Sequence, residues 1–199
     1  MAMGKGKRES LAADDWTRAA LDALARGGLA AVAVEPLAKE LGATKGSFYW
    51  HFADRNALVA AALDRWERRD TDLVIAAVEE NADATARLRS LLRLVFGSVP
   101  EGSRSGAGSV ELALQSHADH PLVAPALARV TERRLDYLTR LFTELGMTPA
   151  RARDRGLLAY TAFLGHAQLA HSTPKLVPRG RAFNTHVGRV VDALVRVDE

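Results

Sequence analysis

The stretch LGATKGSFYWHF, residues 41–52, places four aromatic side chains and a histidine in five consecutive positions, shortly after a glycine. The chain holds 3 Trp, 3 Tyr and 6 Phe, so a third of its aromatic residues lie in this one segment. One face of a short helix cannot bury five neighbouring side chains, because successive residues point in different directions around the helix axis. Some of these rings must therefore face outward.

Helical spacing separates the inner rings from the outer ones. We expect a helix over residues 45–51. Phe48 and Phe52 stand at i and i+4, so Phe52, directly after the end of this helix, lies on the same face as Phe48. With those two rings turned inward, the side chains that we expect to face outward are those of Lys45, Ser47, Tyr49, Trp50 and His51. An exposed row of aromatic residues is unusual on a helix that faces only solvent, and it indicates a binding surface.

The residues before this segment predict a second short helix, over 34–41, joined to it by a tight turn. Gly42 permits the positive φ that such a turn needs, and Leu37, Leu41 and Phe48 supply apolar contacts between the two helices. Two short helices connected in this way are typical of a helix-turn-helix motif. The same pattern also fits any tight corner between helices, so the spacing alone leaves both interpretations open.

Apolar residues recur at helical spacing along nearly the whole chain, and no run alternates as a half-buried strand does. We therefore expect an all-α fold, with an N-terminal three-helix domain over 1–53 that contains the helix-turn-helix and a larger helical domain over 54–199. Residues 1–10 are expected to form a flexible basic arm, and 97–108 a mobile loop. The expected helices cover residues 13–26, 34–41, 45–51, 54–81, 84–96, 109–117, 121–145, 149–172 and a final segment around 187–194.

Composition excludes several classes of function. There is no cysteine, and therefore no disulfide framework or thiolate metal site. The net charge of +3 permits a polyanionic partner without requiring one. No apolar segment suggests a signal peptide or a membrane span, so we expect a cytoplasmic protein. Nucleotide-binding loops, a nucleophile elbow and paired carboxylates are missing from the sequence, so we expect neither an enzyme nor a cofactor.

The outward face of the third helix suits double-stranded DNA. Lys45 and the hydroxyl groups of Thr44, Ser47 and Tyr49 can contact phosphates or base edges, and the absence of a side chain at Gly46 lets the backbone come close. Arg55 stands at the start of the fourth helix, where a second phosphate contact is expected.

The segment AVEPLAKELGATKGSFYWHFADRNAL resembles the DNA-binding segment of the TetR (tetracycline-repressor-like) family of bacterial transcription regulators, and the resemblance extends over residues 14 to about 62. The spacing, the Tyr-x-His-Phe ending and the acid-then-base turn all coincide with the family pattern. Ala33 departs from it, since a Thr or Ser often caps the second helix there, and Phe48 replaces the commoner Leu. The resemblance assigns DNA contacts to Thr44, Lys45, Gly46, Ser47, Tyr49, Trp50, His51 and Arg55.

The resemblance also implies that the rest of the chain binds a small-molecule effector and forms a homodimer through its last two long helices. The candidate effector contacts are Phe96, Gln115, Tyr137, Phe163 and His166. The candidate interface residues are Leu158, Thr161, Gly165, Gln168, Val187, Val190, Val191 and Leu194. Both sets are open to a second interpretation, in which the same residues build the core of one chain.

His117 and His120 stand at i and i+3, which is compatible with a metal site, but a solvated helix end before Pro121 accounts for them better.

The sequence features and the family resemblance together predict a ligand-responsive transcriptional regulator, most often a repressor in the family, that binds a palindromic operator as a homodimer and is released by its effector. The alternative is a helical small-molecule sensor or protein-interaction module that does not bind DNA.

Overall fold

The computed structural model describes residues 12–81, 83–97 and 107–196, and within these ranges every regular element is helical. The all-α prediction is thereby confirmed. The expected basic arm and most of the expected loop at 97–108 lie outside the described residues. The elements are α1 (Ala13–Ala31), α2 (Val34–Glu40), α3 (Lys45–Tyr49), α4 (Arg55–Glu67), a π-helical segment (Arg68–Asp72), α5 (Leu73–Glu79), α6 (Ala84–Gly97), α7 (Ala107–Gln115), α8 (Val123–Glu144), α9 (Pro149–Ser172) and α10 (Gly180–Val195).

Glycines set the breaks in the first three helices. The backbone of α1 leaves helical geometry at Gly27 and Gly28, where Gly28 has a φ of 66°, and helical geometry then resumes as far as Ala31. The sequence predicts that α1 ends at these glycines, but the helix only kinks there and continues for three more residues, to Ala31. Gly42 has a φ of 63° in the turn between α2 and α3, as the helix-turn-helix pattern requires.

Helices α3 and α4 begin at the predicted capping residues, Thr44 and Asp54. The hydroxyl oxygen of Thr44 accepts a hydrogen bond of 3.2 Å from the backbone N–H of Ser47, and the carboxylate of Asp54 accepts one of 2.8 Å from that of Ala57. Each cap satisfies a donor that has no partner inside its helix. Ala33 makes no side-chain cap at the start of α2, as its methyl group dictates.

The long fourth helix predicted over 54–81 is interrupted. It divides into α4 and α5, which are separated by the π-helical segment. One row of buried side chains in α4 steps by four residues, at Leu58, Ala62 and Trp66. The next buried side chain after Trp66 is that of Thr71, five residues further on. A π turn accommodates one residue more than an α turn, so it keeps Thr71 on the buried face.

Buried residues form two clusters. The first joins α1 to α4 with α7 and the beginning of α8, and the second joins α5, α6, the rest of α8, α9 and α10. The first cluster includes Leu58 of α4 and Val130 of α8. Side chains from both sides of the predicted boundary at 53/54 thus share one core, and the division into 1–53 and 54–199 remains a prediction.

Helix α10 turns its apolar stripe inward. Val187, Val191 and Leu194 are buried in the second cluster, and Val190 packs against it. The expectation that these residues face a partner chain is not met by Val187, Val191 and Leu194, which are buried within their own chain, where α10 packs against α6. Val190 is only partly buried, and its place in an interface stays a prediction. A stripe of this kind predicts burial but does not specify which chain provides it.

Candidate nucleic-acid interface and internal cavity

The rings of residues 48–52 divide between the core and the surface as predicted. Phe48 is fully buried and Phe52 is 9% exposed, whereas Tyr49 is 61% and Trp50 88% exposed. His51 is exposed as well. The prediction that the inner pair packs the motif while Tyr49, Trp50 and His51 face outward is confirmed.

Aromatic contacts hold α3 in this orientation. The ring of Phe48 meets the edge of Trp16 in α1 with 5.4 Å between ring centroids, and it stacks on Phe52 with 5.6 Å between centroids. Trp16 is itself fully buried. Since three interlocked rings leave little freedom of rotation, α3 presents a fixed outer face.

The other candidate DNA contacts lie on or beside that face. Thr44, Lys45 and Gly46 are exposed and Ser47 is half-buried. The ammonium group of Lys45 pairs with the carboxylate of Glu35 in α2. The hydrogen bond and the charge of Glu35 raise the pKa of Lys45, so its positive charge is retained. A pair this exposed is weak, and a phosphate can replace Glu35 as the partner of Lys45.

Gly46 is not required by packing within the chain. A methyl group added there would meet only the hydroxyl oxygen of Thr44, at an ordinary distance of 3.6 Å. The space in front of this position is therefore open to an external partner.

Arg55 makes contacts that the sequence did not predict. Its Nε donates a hydrogen bond of 2.6 Å to the carbonyl oxygen of Val32, and its Nη2 donates to that of Leu29. Both acceptors lie at the end of α1, where the last carbonyl groups lack the usual partner four residues on. The carbonyl oxygen of Leu29 also accepts a hydrogen bond of 3.2 Å from the backbone N–H of Val32. This placement differs from the expectation that Arg55 points toward a DNA backbone: its guanidinium ties α4 to α1.

A cavity of about 210 Å³ lies between α5, α6, α8 and α9. Its wall is mostly apolar, with a group of polar side chains from the π-helical segment, α7, α8 and α9. The lining residues are Asp70, Thr71, Val74, Ile75, Leu91, Leu92, Leu94, Val95, Glu111, Arg134, Tyr137, Leu138, Ala159, Tyr160 and Phe163.

The polar group centres on a buried ion pair. Nη1 of Arg134 lies 2.7 Å from the carboxylate of Glu111, which is almost completely buried. The hydroxyl of Tyr160 donates a hydrogen bond of 3.2 Å to the same carboxylate. Nε of Arg134 donates to the hydroxyl oxygen of Thr71 over 3.0 Å, and its Nη2 donates to the carbonyl oxygen of Asp70 over 3.2 Å. Arg134, which lies in α8, thereby connects the π-helical segment with α7.

The candidate effector residues are divided by the structure. Tyr137 and Phe163 line the cavity, but Phe96, Gln115 and His166 do not. The ring of Phe96 packs 5.0 Å from that of His166 behind the cavity wall, and burial together with the nearby His186 lowers the pKa of His166. Gln115 is exposed at the end of α7. These three residues do not line this cavity, although Nε2 of Gln115 donates a hydrogen bond of 3.3 Å to the carboxylate of Glu111. Their contact with an effector stays a prediction.

Sequence reasoning missed Glu111, Arg134 and Tyr160. Each stands in an ordinary amphipathic helix. Along the chain, Glu111 is 23 residues from Arg134 and 49 residues from Tyr160. A charged residue flanked by apolar neighbours in SVELALQ was the only available signal for Glu111.

The candidate interface residues of α9 are on its outer face. Leu158 is half exposed, and Thr161, Gly165 and Gln168 are exposed. A methyl group added at Gly165 would meet no atom of the described residues within 4 Å. The nearby Leu157 and Leu169 are also about half exposed, which extends the apolar character of this face.

Both histidines of the proposed pair are engaged at the end of α7. Nδ1 of His117 lies 2.9 Å from the carbonyl oxygen of Ala113, and Nδ1 of His120 accepts a hydrogen bond of 3.2 Å from the backbone N–H of Leu122. Across the described ranges, no group of three or more potential ligand side chains is arranged to hold a metal ion.

No helix within the same ranges combines the length and apolar character needed to cross a membrane.

Comparison with known proteins agrees with this geometry. Residues 17–62 match the model of a family described as bacterial regulatory proteins, tetR family. No curated protein matches the chain.

Solved structures share the fold over nearly the whole length. A transcriptional regulator from Rhodococcus sp. Rha1 is 21% identical, with 93% of this chain and 94% of that chain covered and a TM-score of 0.73. A TetR transcriptional regulator from Legionella pneumophila is 13% identical, with 96% and 100% covered and a TM-score of 0.76. A TetR-family regulator from Streptomyces coelicolor is 22% identical, with 92% and 87% covered and a TM-score of 0.68. Residues 17–62 thus match the family of bacterial regulatory proteins named tetR, and the chain as a whole shares its fold with solved structures of regulators from that family.

Proposed function

We propose that this protein is a bacterial, cytoplasmic transcriptional regulator that binds a palindromic operator as a homodimer and is released by a small-molecule effector, most simply as a repressor. The observation that carries the proposal is the outward placement of Tyr49 and Trp50 on a helix whose inner rings are locked against α1. A rigid, exposed aromatic and hydroxyl-bearing face suits the edge of the DNA major groove, where the protein can contact phosphates and bases together.

The outer face of α9 supports the homodimer. Leu158 and Leu169 expose apolar surface there, and Gly165 allows a second helix to come close. A two-fold pair of chains joined through this face would place its α3 helices in successive major grooves, about 34 Å apart, and so would read a palindromic site. Sedimentation of the purified protein should then give twice the 21.5 kDa of one chain.

Helix α7 offers a route from the cavity to the DNA-binding helices. Glu111 contributes to the cavity wall, and the ring of His117, just beyond the end of the same helix, lies against Gly28 at the kink of α1. A displacement of Glu111 by an effector would therefore move a residue that touches α1. The effector can shift the DNA-competent state only by binding one arrangement of these helices better than the other.

The π-helical segment offers a second route. Arg134 bonds to Asp70 and Thr71 within it, and this segment continues directly into α4, which starts at Arg55 beside the helix-turn-helix. Residues that touch the cavity thus stand at both connections to the N-terminal helices. We propose that the N-terminal unit over 1–53 responds to the cavity in 54–199 through these two connections.

Footprinting tests the proposal. The purified protein is applied to DNA flanking its own gene, and protection of a short site with two-fold symmetry is expected. Complete absence of sequence-selective protection would contradict the proposal and favour the second candidate, a helical small-molecule sensor that does not bind DNA, which the cavity alone would support.

A further inference from the structure

The cavity wall has two chemically distinct parts. One part consists of aliphatic side chains and Phe163, with Leu94 as its most exposed member. The other part carries the acidic and basic side chains found among the described lining residues, namely Asp70, Glu111 and Arg134. A volume of about 210 Å³ suits a compact ligand rather than one that fills the roughly 300–1,000 Å³ of a drug-sized site.

Each charged group of the lining already has a partner of opposite charge. Glu111 pairs with Arg134, and the well-buried carboxylate of Asp70 pairs with Arg69. Burial disfavours the charged form of Arg134, but the charge and hydrogen bond of Glu111, together with the contribution of Tyr160, raise the pKa of Arg134 above its usual value. Burial, followed by the charge of Glu111, raises the pKa of Tyr160, so its hydroxyl stays protonated. Among the residues that the structure describes, the charges that line the cavity and their partners sum to zero.

We propose that this cavity binds an uncharged, mainly apolar ligand that carries one hydrogen-bonding group, such as an alcohol or a carbonyl, directed at Tyr160 and the Glu111–Arg134 pair. The inference rests on the proposed function for the role of the cavity as an effector site. It adds the chemical class of the effector, which the fold alone does not specify.

Charged ligands fit less well for a physical reason. A carboxylate placed at the polar end would approach Arg134 only beside the carboxylate of Glu111, and an ammonium group would approach Glu111 only beside Arg134. Either ion would leave water without gaining a free counter-charge, and uncompensated burial of a charge is unfavourable. A neutral hydroxyl or carbonyl group needs only a hydrogen-bond partner, which Tyr160 or a remaining N–H of Arg134 provides.

Calorimetric titration of the full-length protein with three eight-carbon probes at pH 7.5 tests this inference. The probes are 1-octanol, octanoate and octylammonium, which share an apolar chain and differ in charge. We expect 1-octanol to bind at least about tenfold more tightly than either ion. Octanoate or octylammonium that binds as tightly as 1-octanol would overturn the inference, and so would failure of all three to bind.

Two variants connect the selectivity to the cavity. Glu111→Gln leaves the charge of Arg134 uncompensated, so octanoate should gain affinity relative to 1-octanol by about tenfold. Glu132→Gln makes the same charge change on the exposed side of α8 and should leave the ratio unchanged. Leu94→Trp, at the most exposed lining position, should weaken all three probes. If Glu111→Gln fails to fold, the wild-type comparison and Leu94→Trp still decide the question.

These measurements need no DNA, so the two proposals fail separately. A protein that protects an operator but does not prefer 1-octanol would refute the inference alone. A protein that prefers 1-octanol but protects no DNA would refute the regulator and leave the ligand class intact.

Discussion

The Nε atom of Arg55 donates a hydrogen bond of 2.6 Å to the carbonyl oxygen of Val32, which fastens the start of α4 to the end of α1. The second donor of the same guanidinium reaches the carbonyl oxygen of Leu29. The helix that leads away from the helix-turn-helix is thereby anchored to the helix behind it.

Replacing Arg55 by Ala should therefore destabilise the protein. Loss of hydrogen bonds from a charged donor to part-buried carbonyls should lower the free energy of unfolding by about 1–3 kcal/mol, measured by urea denaturation. Arg68→Ala, which removes an exposed arginine of the π-helical segment, is the matched control and should change it by less than about 0.5 kcal/mol. Equal, small effects of both substitutions would show that the contacts of Arg55 do not stabilise the fold.

Lys45 should contribute charge to DNA binding without base specificity. Its present partner, Glu35, is exposed and can be exchanged for a phosphate. Lys45→Ala should weaken binding to all DNA sequences and reduce the slope of log affinity against log salt by about 1, because one fewer phosphate is neutralised. Lys175→Ala, in the exposed turn before α10, removes the same charge far along the chain and should leave the slope unchanged. An unaltered slope in Lys45→Ala would remove this residue from the contact surface.

Gly46 separates stability from binding. Alanine favours helix more than glycine does, and the added methyl group would touch only Thr44 at 3.6 Å, so Gly46→Ala should raise the free energy of unfolding by up to about 0.5–1 kcal/mol. If DNA approaches this backbone closely, the same methyl group should weaken operator binding by about tenfold or more. Thermal unfolding and fluorescence anisotropy measure the two effects. A variant that is more stable and binds normally would show that the backbone at Gly46 stays away from DNA.

The sequence predicted the helix-turn-helix well because its determinants are local. The distance of four residues between Phe48 and Phe52 sets which rings face inward, and Gly42 sets the turn, with all three inside a dozen residues. The polar group of the cavity was not predictable in this way. The burial of Glu111 depends on Arg134 and Tyr160, which reach it from two other helices, and nothing near any of the three residues marks them as partners.

Two other differences have the same origin. The stripe at Val187, Val191 and Leu194 correctly predicts burial, but periodicity carries no information about whether α6 or a second chain covers it. At the π-helical segment, the spacing between buried side chains changes from four residues to the five that separate Trp66 from Thr71. Thr71 is polar, so the sequence does not mark it as buried, and its contact with Arg134 is visible only in the folded chain.

Gly28 should be intolerant of any side chain. Its φ of 66° disfavours other residues, and a methyl group there would stand 2.8 Å from Cε1 of His117. Gly28→Ala should lower the free energy of unfolding by about 1–3 kcal/mol from backbone strain alone, with a further loss from the clash. Gly188→Ala is the control, since its added methyl group meets nothing within 4 Å.

The double variant Gly28→Ala/His117→Ala separates the two causes. Removal of the imidazole should relieve the clash and leave the backbone strain, so the effects of the two substitutions should not be additive. Strict additivity in urea denaturation would mean that Gly28 and His117 are not in contact, and it would remove the proposed connection from α7 to α1.

The central claim is that the outer face of α3 binds DNA, and Tyr49 tests it most directly. The side chain is exposed and its removal should leave the fold intact, so Tyr49→Ala should unfold at the temperature of the wild type. Anisotropy titration against the footprinted operator should show that its affinity has fallen by about tenfold or more, the equivalent of at least 1.4 kcal/mol. Tyr49→Ala that is folded and binds the operator with wild-type affinity would contradict the account.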